Sequence, residues 1–361
     1  MISIFLAGVI LVAVILRLIY KFNWDKGIYA DVRFKQEHSY AGGKAVIVEK
    51  IENRKKMPVP VMEVGFDLDR SLIFSDMENT KVTDMTYRRD IFALLGNQRI
   101  TRHLNIDCSK RGYYSIKEIS YKSFSMFYKS TYIRKKSVSA QLYVYPQRVD
   151  VSDILMVSSK VMGARQCAKQ IYEDPFAFSS IREYTITDPM KTINWKASAK
   201  TGELMVNTFE STDTESVMIY LDVQDRGMYK YENLVEDSIS VAATLIQKLI
   251  NRGIETGISV NHKEFVRMEP CKGAFNITKA EKMLACLDSG DNAFELDDIL
   301  ESHPKDAVAV VISKNADRKQ HMIEEFAKKC DCIWVLPYQD EEGCSVKADK
   351  GVHLIKRSCR K

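Results

Sequence analysis

Val217-Met-Ile-Tyr-Leu-Asp222 is an unbroken apolar run that ends in a carboxylate. A run without polar alternation is the form of a strand buried on both faces, as in a parallel sheet. Downstream, Val235, Ile239, Ala242, Ile246 and Leu249 recur at spacings of four and three, which predicts a helix from Tyr231 to Arg252 with Gly253 as its stop. Thr256 to Val260 and Glu264 to Met268 flank Asn261-His262-Lys263 and predict a tight hairpin. Helices near 278–287 and 296–302, a strand Ala307 to Ile312, a helix over 317–329 and a strand Cys332 to Leu336 complete the pattern. The alternation predicts, for 216–361, an α/β domain built on a doubly wound, mostly parallel sheet. No Gly-x-Gly-x-x-Gly follows the first strand, which argues against a dinucleotide fold.

Immediately upstream, residues 181–215 hold charged, amide and aromatic side chains without a clean 3.6 or 2.0 apolar period. Arg182-Glu-Tyr184, Asp188, Ile193-Asn-Trp-Lys-Ala-Ser-Ala-Lys200 and Phe209-Glu210 stand out in this stretch. Together they resemble the signature of the family called domain of unknown function 58. Lys110-Arg-Gly-Tyr-Tyr114, Ser123-Phe-Ser-Met-Phe127 and Tyr143-Val-Tyr-Pro-Gln147 extend the resemblance toward the amino terminus. The resemblance implies a membrane-anchored protein with a von Willebrand factor A-like domain, and the hairpin after the first helix resembles the antiparallel edge of that topology. It also implies a non-enzymatic adaptor that works beside a MoxR-type AAA+ ATPase and other membrane proteins, in assembly or envelope processes. The interaction residues it points to are Arg182, Glu183, Tyr184, Asp188, Asn194, Trp195, Lys196, Lys200 and Glu210.

The signature also reads as a clamp between domains. Trp195 is its expected buried anchor, Asn194 and Asp188 are suited to holding backbone amides, and Lys196 and Lys200 can pair with Glu183 and Glu210. Acid/base chemistry at Glu183, Asp188 or Glu210, or a nucleophilic Ser198 near Lys200, has no nucleophile elbow and no nearby histidine to support it.

Ligands of open α/β sheets bind beyond the carboxyl ends of strands, which singles out Asp222. Metal-binding von Willebrand A domains place Asp-x-Ser-x-Ser there, with oxygen ligands for magnesium. This chain has Asp222-Val-Gln-Asp-Arg226, so an amide and a cation replace the serines, and Ser313-Lys314 brings a second positive charge. Asp222 and Asp225 are then a degenerate remnant, and the expected cofactor set is empty. The rival reading is a magnesium-dependent adhesion domain displayed outside the cell.

Residues 28–149 carry short alternating runs such as Ala45-Val-Ile-Val-Glu-Lys-Ile51 and Gln141-Leu-Tyr-Val-Tyr145, separated by Gly42-Gly43, Pro58, Pro60 and Gly96-Asn97. They predict an antiparallel β-sandwich, and 150–180 reads as an irregular linker. Ile2 to Tyr20 is apolar apart from Ser3 and Arg17 and predicts one transmembrane helix within an anchor over 1–24, with Trp24 at the interface. Arg17, Lys21 and Lys26 then place the bulk of the chain in the cytoplasm by the positive-inside rule. A net charge of +5 from 53 basic and 48 acidic residues, interspersed along the chain, argues against a dedicated nucleic-acid binder. Eight cysteines without Cys-x-x-Cys spacing fit reduced thiols better than a disulfide or zinc framework.

Overall fold

A computed structural model describes residues 2–124, 131–169, 178–186, 188–209, 216–225, 231–262, 266–287, 294–339, 346–348 and 351–359. The chain divides into two compact units, Met1–Arg148 with Glu281–Leu287, and Val149–Ala280 with Asp288–Lys361.

The first unit opens with helix α1 (Ile2–Asn23) and continues in ten strands: β1 (Ile28–Phe34), β2 (His38–Tyr40), β3 (Lys44–Asn53), β4 (Val59–Asp69), β5 (Leu72–Phe74), β6 (Thr80–Val82), β7 (Met85–Leu94), β8 (Arg99–Cys108), β9 (Gly112–Phe124) and β10 (Thr131–Tyr145). They form one sheet in the order β1-β3-β8-β5 and another in the order β2-β10-β9-β4-β7-β6, antiparallel throughout except where β2 meets β10. Period-two alternation turns Ile47 and Ile51 of β3, Ile106 of β8, Phe66 of β4, Ile119 of β9 and Leu142 of β10 into one shared core, the signature of a sandwich. Pro60, expected to mark a turn, lies inside β4, and its missing N–H falls at the pairing irregularity between Val59 and Met62.

Charge is also buried in this unit. Glu49 occupies an inward position of β3 in phase with Ile47 and Ile51, is fully buried, and neither of its carboxylate oxygens has a hydrogen-bond partner. Burial, and then the nearby Asp90, push its carboxyl up to about 8, with Arg102 and Arg88 opposing. Arg88 Nε donates to Asp90 Oδ2 at 2.6 Å, with both side chains nearly inaccessible.

The second unit begins with α2 (Ser152–Lys169) and the two-stranded antiparallel ribbon of β11 (Phe178–Glu183) and β12 (Met205–Phe209). Between those strands lie a 3₁₀ turn (Met190–Thr192) and α3 (Trp195–Thr201). There follow β13 (Ser216–Leu221), α4 (Glu232–Asn251), β14 (Glu255–Val260), β15 (Val266–Cys271), α5 (Ala274–Ala285), α6 (Leu296–Leu300), β16 (Ala307–Ile312), α7 (Ala316–Ala327), β17 (Cys332–Gln339) and β18 (Val352–Cys359). Strands β13 to β18 make a six-stranded mixed sheet in the order β15-β14-β13-β16-β17-β18, with β15 antiparallel to β14. Met218, Tyr220, Val311 and Trp334 pack with Ile299 of α6 and Ile323 of α7. Helix α4 buries Val235, Ile239, Ala242, Ile246 and Leu249, and it ends where Gly253 takes φ of 81°, a conformation that costs other residues more than glycine.

Several expectations are corrected. The doubly wound α/β von Willebrand A-like fold expected for 216–361 and the transmembrane helix expected before the sandwich are not what the chain adopts. The chain is β-rich, with eighteen strands against seven α-helices among the described residues, in antiparallel and mixed sheets. Among the described residues no helix is long and apolar enough to cross a membrane. Trp24, expected as an interfacial anchor, is buried against the rings of Tyr121 and Tyr132, and Lys55 Nζ donates to its carbonyl at 2.6 Å. The irregular linker expected from 150 is helical over Ser152–Lys169, because Ile154, Leu155, Ser158, Val161 and Met162 recur at helical spacing on one buried face.

The proton on Glu49 sets a pH dependence. Its folded-state value lies above the unfolded one, so its contribution to stability is fully present below about pH 4.5 and is lost as pH rises through about 8. The difference in unfolding free energy between wild type and Glu49→Gln, followed by denaturant titration across that range, is expected to shift against wild type by on the order of 2–4 kcal/mol. A pH-independent difference would refute this assignment.

Candidate functional site

The signature residues build a compact polar scaffold. Arg182, on β11, donates through Nη1 and Nη2 to the two oxygens of Asp188, both at 2.7 Å, a two-pronged pairing with directional strength. The Thr185 amide and hydroxyl donate to Asp188 Oδ2 at 2.9 and 2.8 Å. The Arg182 guanidinium, ahead of the Thr185 donors, holds the Asp188 carboxyl well below the usual carboxylate range. The Tyr184 amide donates to the Leu204 carbonyl, and Glu183 stands opposite Met205 in the ribbon register.

Asn194 caps α3. Its Oδ1 accepts from the Ala197 amide at 2.9 Å, while its Nδ2 donates to Asn207 Oδ1 at 2.7 Å on β12. Ser198 Oγ donates to the Asn194 carbonyl and accepts from the Met205 amide, which makes it a brace between helix and strand. The helix closes at Gly202, whose φ of 80° suits the left-handed stop.

Trp195 does not behave as the expected anchor. It is 66% exposed, and the small buried pair of the scaffold is Ile193 and Val206, which bridge the segment before α3 to β12. Ile186 at 97% and Met190 at 71% are exposed in the same ten residues. The scaffold is held by hydrogen bonds on the inside while its large apolar side chains point outward, the reverse of ordinary burial. Lys196 and Lys200 are exposed, and the expected pairing with Glu183 is absent from the ion pairs among the described residues; Glu210 lies outside the described residues.

Asp222 ends β13 beneath a second polar cluster. It is 1% exposed. Its Oδ1 accepts from Asn261 Nδ2 at 2.6 Å and the Gln224 amide at 3.0 Å. Its Oδ2 accepts from Ser313 Oγ at 2.7 Å and Asn315 Nδ2 at 3.1 Å. Four donors match the roughly four lone-pair directions of a carboxylate, so Asp222 has no oxygen direction left to offer a metal ion. Asn261 Oδ1 accepts from the Val223 amide at 2.7 Å, which completes the tie between the ends of β13 and β14.

Asp225 is likewise committed. Lys314 Nζ donates to its Oδ1 at 2.6 Å, with the two side chains only 5% and 3% exposed, and the Tyr231 amide donates to Oδ2 at 2.8 Å. The cation that neutralises this carboxylate is therefore part of the chain. Arg226, the cation that replaces a serine of the motif, lies outside the described residues. Nearby, Lys319 Nζ donates to Glu295 Oε2 at 2.9 Å, and Gln224 Nε2 reaches Glu295 Oε1 at 3.4 Å. Among the described residues no group of three or more His, Cys, Asp or Glu side chains is placed to hold a metal. The donor set, rich in amides and ammonium groups, does not suit a divalent cation. Asn261, Asn315, Glu295 and Lys319 were not marked by sequence pattern, and the only available signal was a polar residue directly after each of the strands β14 and β16.

Lys314→Ala would leave a buried carboxylate without its charge partner. The expected loss is about 3–5 kcal/mol of unfolding free energy, with most of it recovered in Lys314→Met combined with Asp225→Asn, which keeps an acceptor for the Tyr231 amide. Urea titration of the two variants checks both halves of this expectation.

Over about a third of its length the chain is similar to several solved β domains, at low sequence identity. One is the CARDB domain of the PF1109 protein in complex with di-metal ions from Pyrococcus furiosus: 11% identity, 32% of this chain and 93% of that one, TM-score 0.20. Another is the sixth cohesin of scaffoldin B from Acetivibrio cellulolyticus: 11% identity, 33% and 99% covered, TM-score 0.25. A third is BslA, a bacterial hydrophobin: 10% identity, 32% and 95% covered, TM-score 0.22. No curated protein matches the chain. Residues 180–342, which carry both the signature scaffold and the Asp222 cluster, match the model of the family described as Protein of unknown function DUF58, and this match supports the family resemblance.

Proposed function

We propose that the chain is a non-enzymatic interaction protein of adaptor type, and that the signature scaffold is the face it presents to a partner. The observation that carries this reading is the exposure of Trp195, with Ile186 and Met190, on a hydrogen-bonded support. Exposed large apolar groups carry a solvation cost that a monomer has little reason to keep, and tryptophan is the residue most enriched at binding hot spots. The internal bracing favours the same reading, because a surface already ordered loses less entropy on association.

The partner class we propose is a MoxR-type AAA+ ATPase, together with other membrane proteins, in assembly or envelope processes. The support for this class is the family resemblance of the signature. Location at a membrane, with the bulk of the chain on the cytoplasmic side, belongs to the same proposal and rests on the same family resemblance. The commitment of every described oxygen of Asp222 and Asp225 to protein donors favours an adaptor over a cation-dependent adhesion domain.

Affinity capture of the full chain from solubilised membranes, with ATP analogue and with ADP, is expected to recover an AAA+ ATPase. Trp195→Ala should reduce that recovery at least tenfold while leaving the unfolding transition within about 0.5 kcal/mol of wild type, as for an exposed side chain. Failure to recover an ATPase in either nucleotide state would remove the partner assignment, and full recovery with Trp195→Ala would remove the signature as the docking face.

A further inference from the structure

Away from the signature, the second unit holds a cavity of about 580 Å³ lined by the start of α2 and the end of α4. That volume lies in the range of small-molecule sites. One wall is the α2 face made by Ser152, Leu155, Met156, Ser159 and Lys160, residues at the three- and four-residue spacing that shares a helix face. The opposite wall carries Lys248 and Arg252, four residues apart at the end of α4.

The lining is chemically lopsided. Lys160, Lys248 and Arg252 are exposed, and none makes a hydrogen bond or ion pair with a described side chain. Three positive charges therefore face one cavity without a counter-ion among the described residues. The single carboxylate in the lining, Asp150, is engaged with its own neighbour: its Oδ1 accepts from the Ser152 amide at 3.0 Å and from Ser152 Oγ. The formal balance of the lining is two positive charges in excess. A phosphate monoester carries roughly 1.5 to 2 negative charges near neutral pH and accepts through three oxygens. Val151, Leu155 and the 58% exposed Met156 add apolar surface beside the cations, suited to an apolar substituent on that phosphate.

We propose that the α2/α4 cavity is a binding site for a phosphate monoester bearing an apolar substituent, with Lys160, Lys248 and Arg252 holding the phosphate and Met156 the substituent. The source is either a soluble phosphorylated compound or a lipid headgroup of the same chemistry. Several cations converging on one concavity raise the local concentration of an anion, an attraction that weakens as salt is added.

The test uses the full chain and its Lys248→Gln/Arg252→Gln variant, whose exposed side chains place little of the fold at risk. Thermal melting is followed against phenyl phosphate, inorganic phosphate and phenol, and cosedimentation against phosphatidylcholine vesicles with and without phosphatidic acid. A saturable rise in melting temperature with phenyl phosphate, larger than with inorganic phosphate, absent with phenol and weakened at least tenfold in the variant, supports a soluble source. Cosedimentation that depends on phosphatidic acid and falls at least tenfold in the variant supports a lipid source. No saturable response in either arm, or a response the variant leaves unchanged, overturns the site.

Discussion

The buried carboxylate of Asp222 is the constraint around which the second unit is arranged. A carboxylate removed from water is costly unless its lone pairs are met, and here four donors from four different residues meet them. Two of the four, Asn261 and Ser313, directly follow β14 and β16, the strands that flank β13. The hydrogen bonds therefore set the height at which three neighbouring strands end. They also fix the chain direction at Ser313, which brings Lys314 to Asp225 and leaves Asn315 at the start of α7. Asn315 stands at the helix cap but donates its amide to Asp222 and to the Gln224 carbonyl, so the helix begins without a side-chain cap of its own.

The two units place polarity differently. In the sandwich, charge is enclosed: Arg88 pairs with Asp90, while Glu49, close to the same groups, is left without a hydrogen bond among the described residues. In the signature scaffold the polar groups are inside because they are needed to hold a small irregular segment that has almost no core. Ile193 and Val206 are too little to order thirty residues, so Arg182–Asp188 and the Asn194 cap supply the missing constraints. The apolar side chains are thereby released from structural duty and left on the surface.

Much of the local structure was legible in the sequence, because periodicity records burial directly. The helix with Val235, Ile239 and Ile246, the strand leading to Asp222 and the antiparallel pair β14 and β15 all lie within a few residues of where spacing places them. The overall class is less legible, because hydrophobic runs mark a buried strand without recording the direction of its neighbours, and the sheet of β13 to β18 is mixed. Trp195 was misread for a related reason: a large aromatic residue is usually a core residue, and nothing in its neighbours records that the underlying core is only two side chains wide. The strand-end position of Ser313-Lys314 marks a positive charge near this site, but the direct pairing of Lys314 with Asp225, 89 residues apart, is not written in the local pattern. Glu49 is different, because its phase with Ile47 and Ile51 was readable, and only its charge argued against the inward position it takes.

The Lys314 ammonium has one property that a bound ion lacks. It is tethered, so its local concentration at Asp225 is fixed by the backbone and is unaffected by dialysis, dilution or a chelator. A site neutralised in this way cannot report on the ionic composition of its surroundings. A response of this chain to divalent cations would have to arise away from the end of β13.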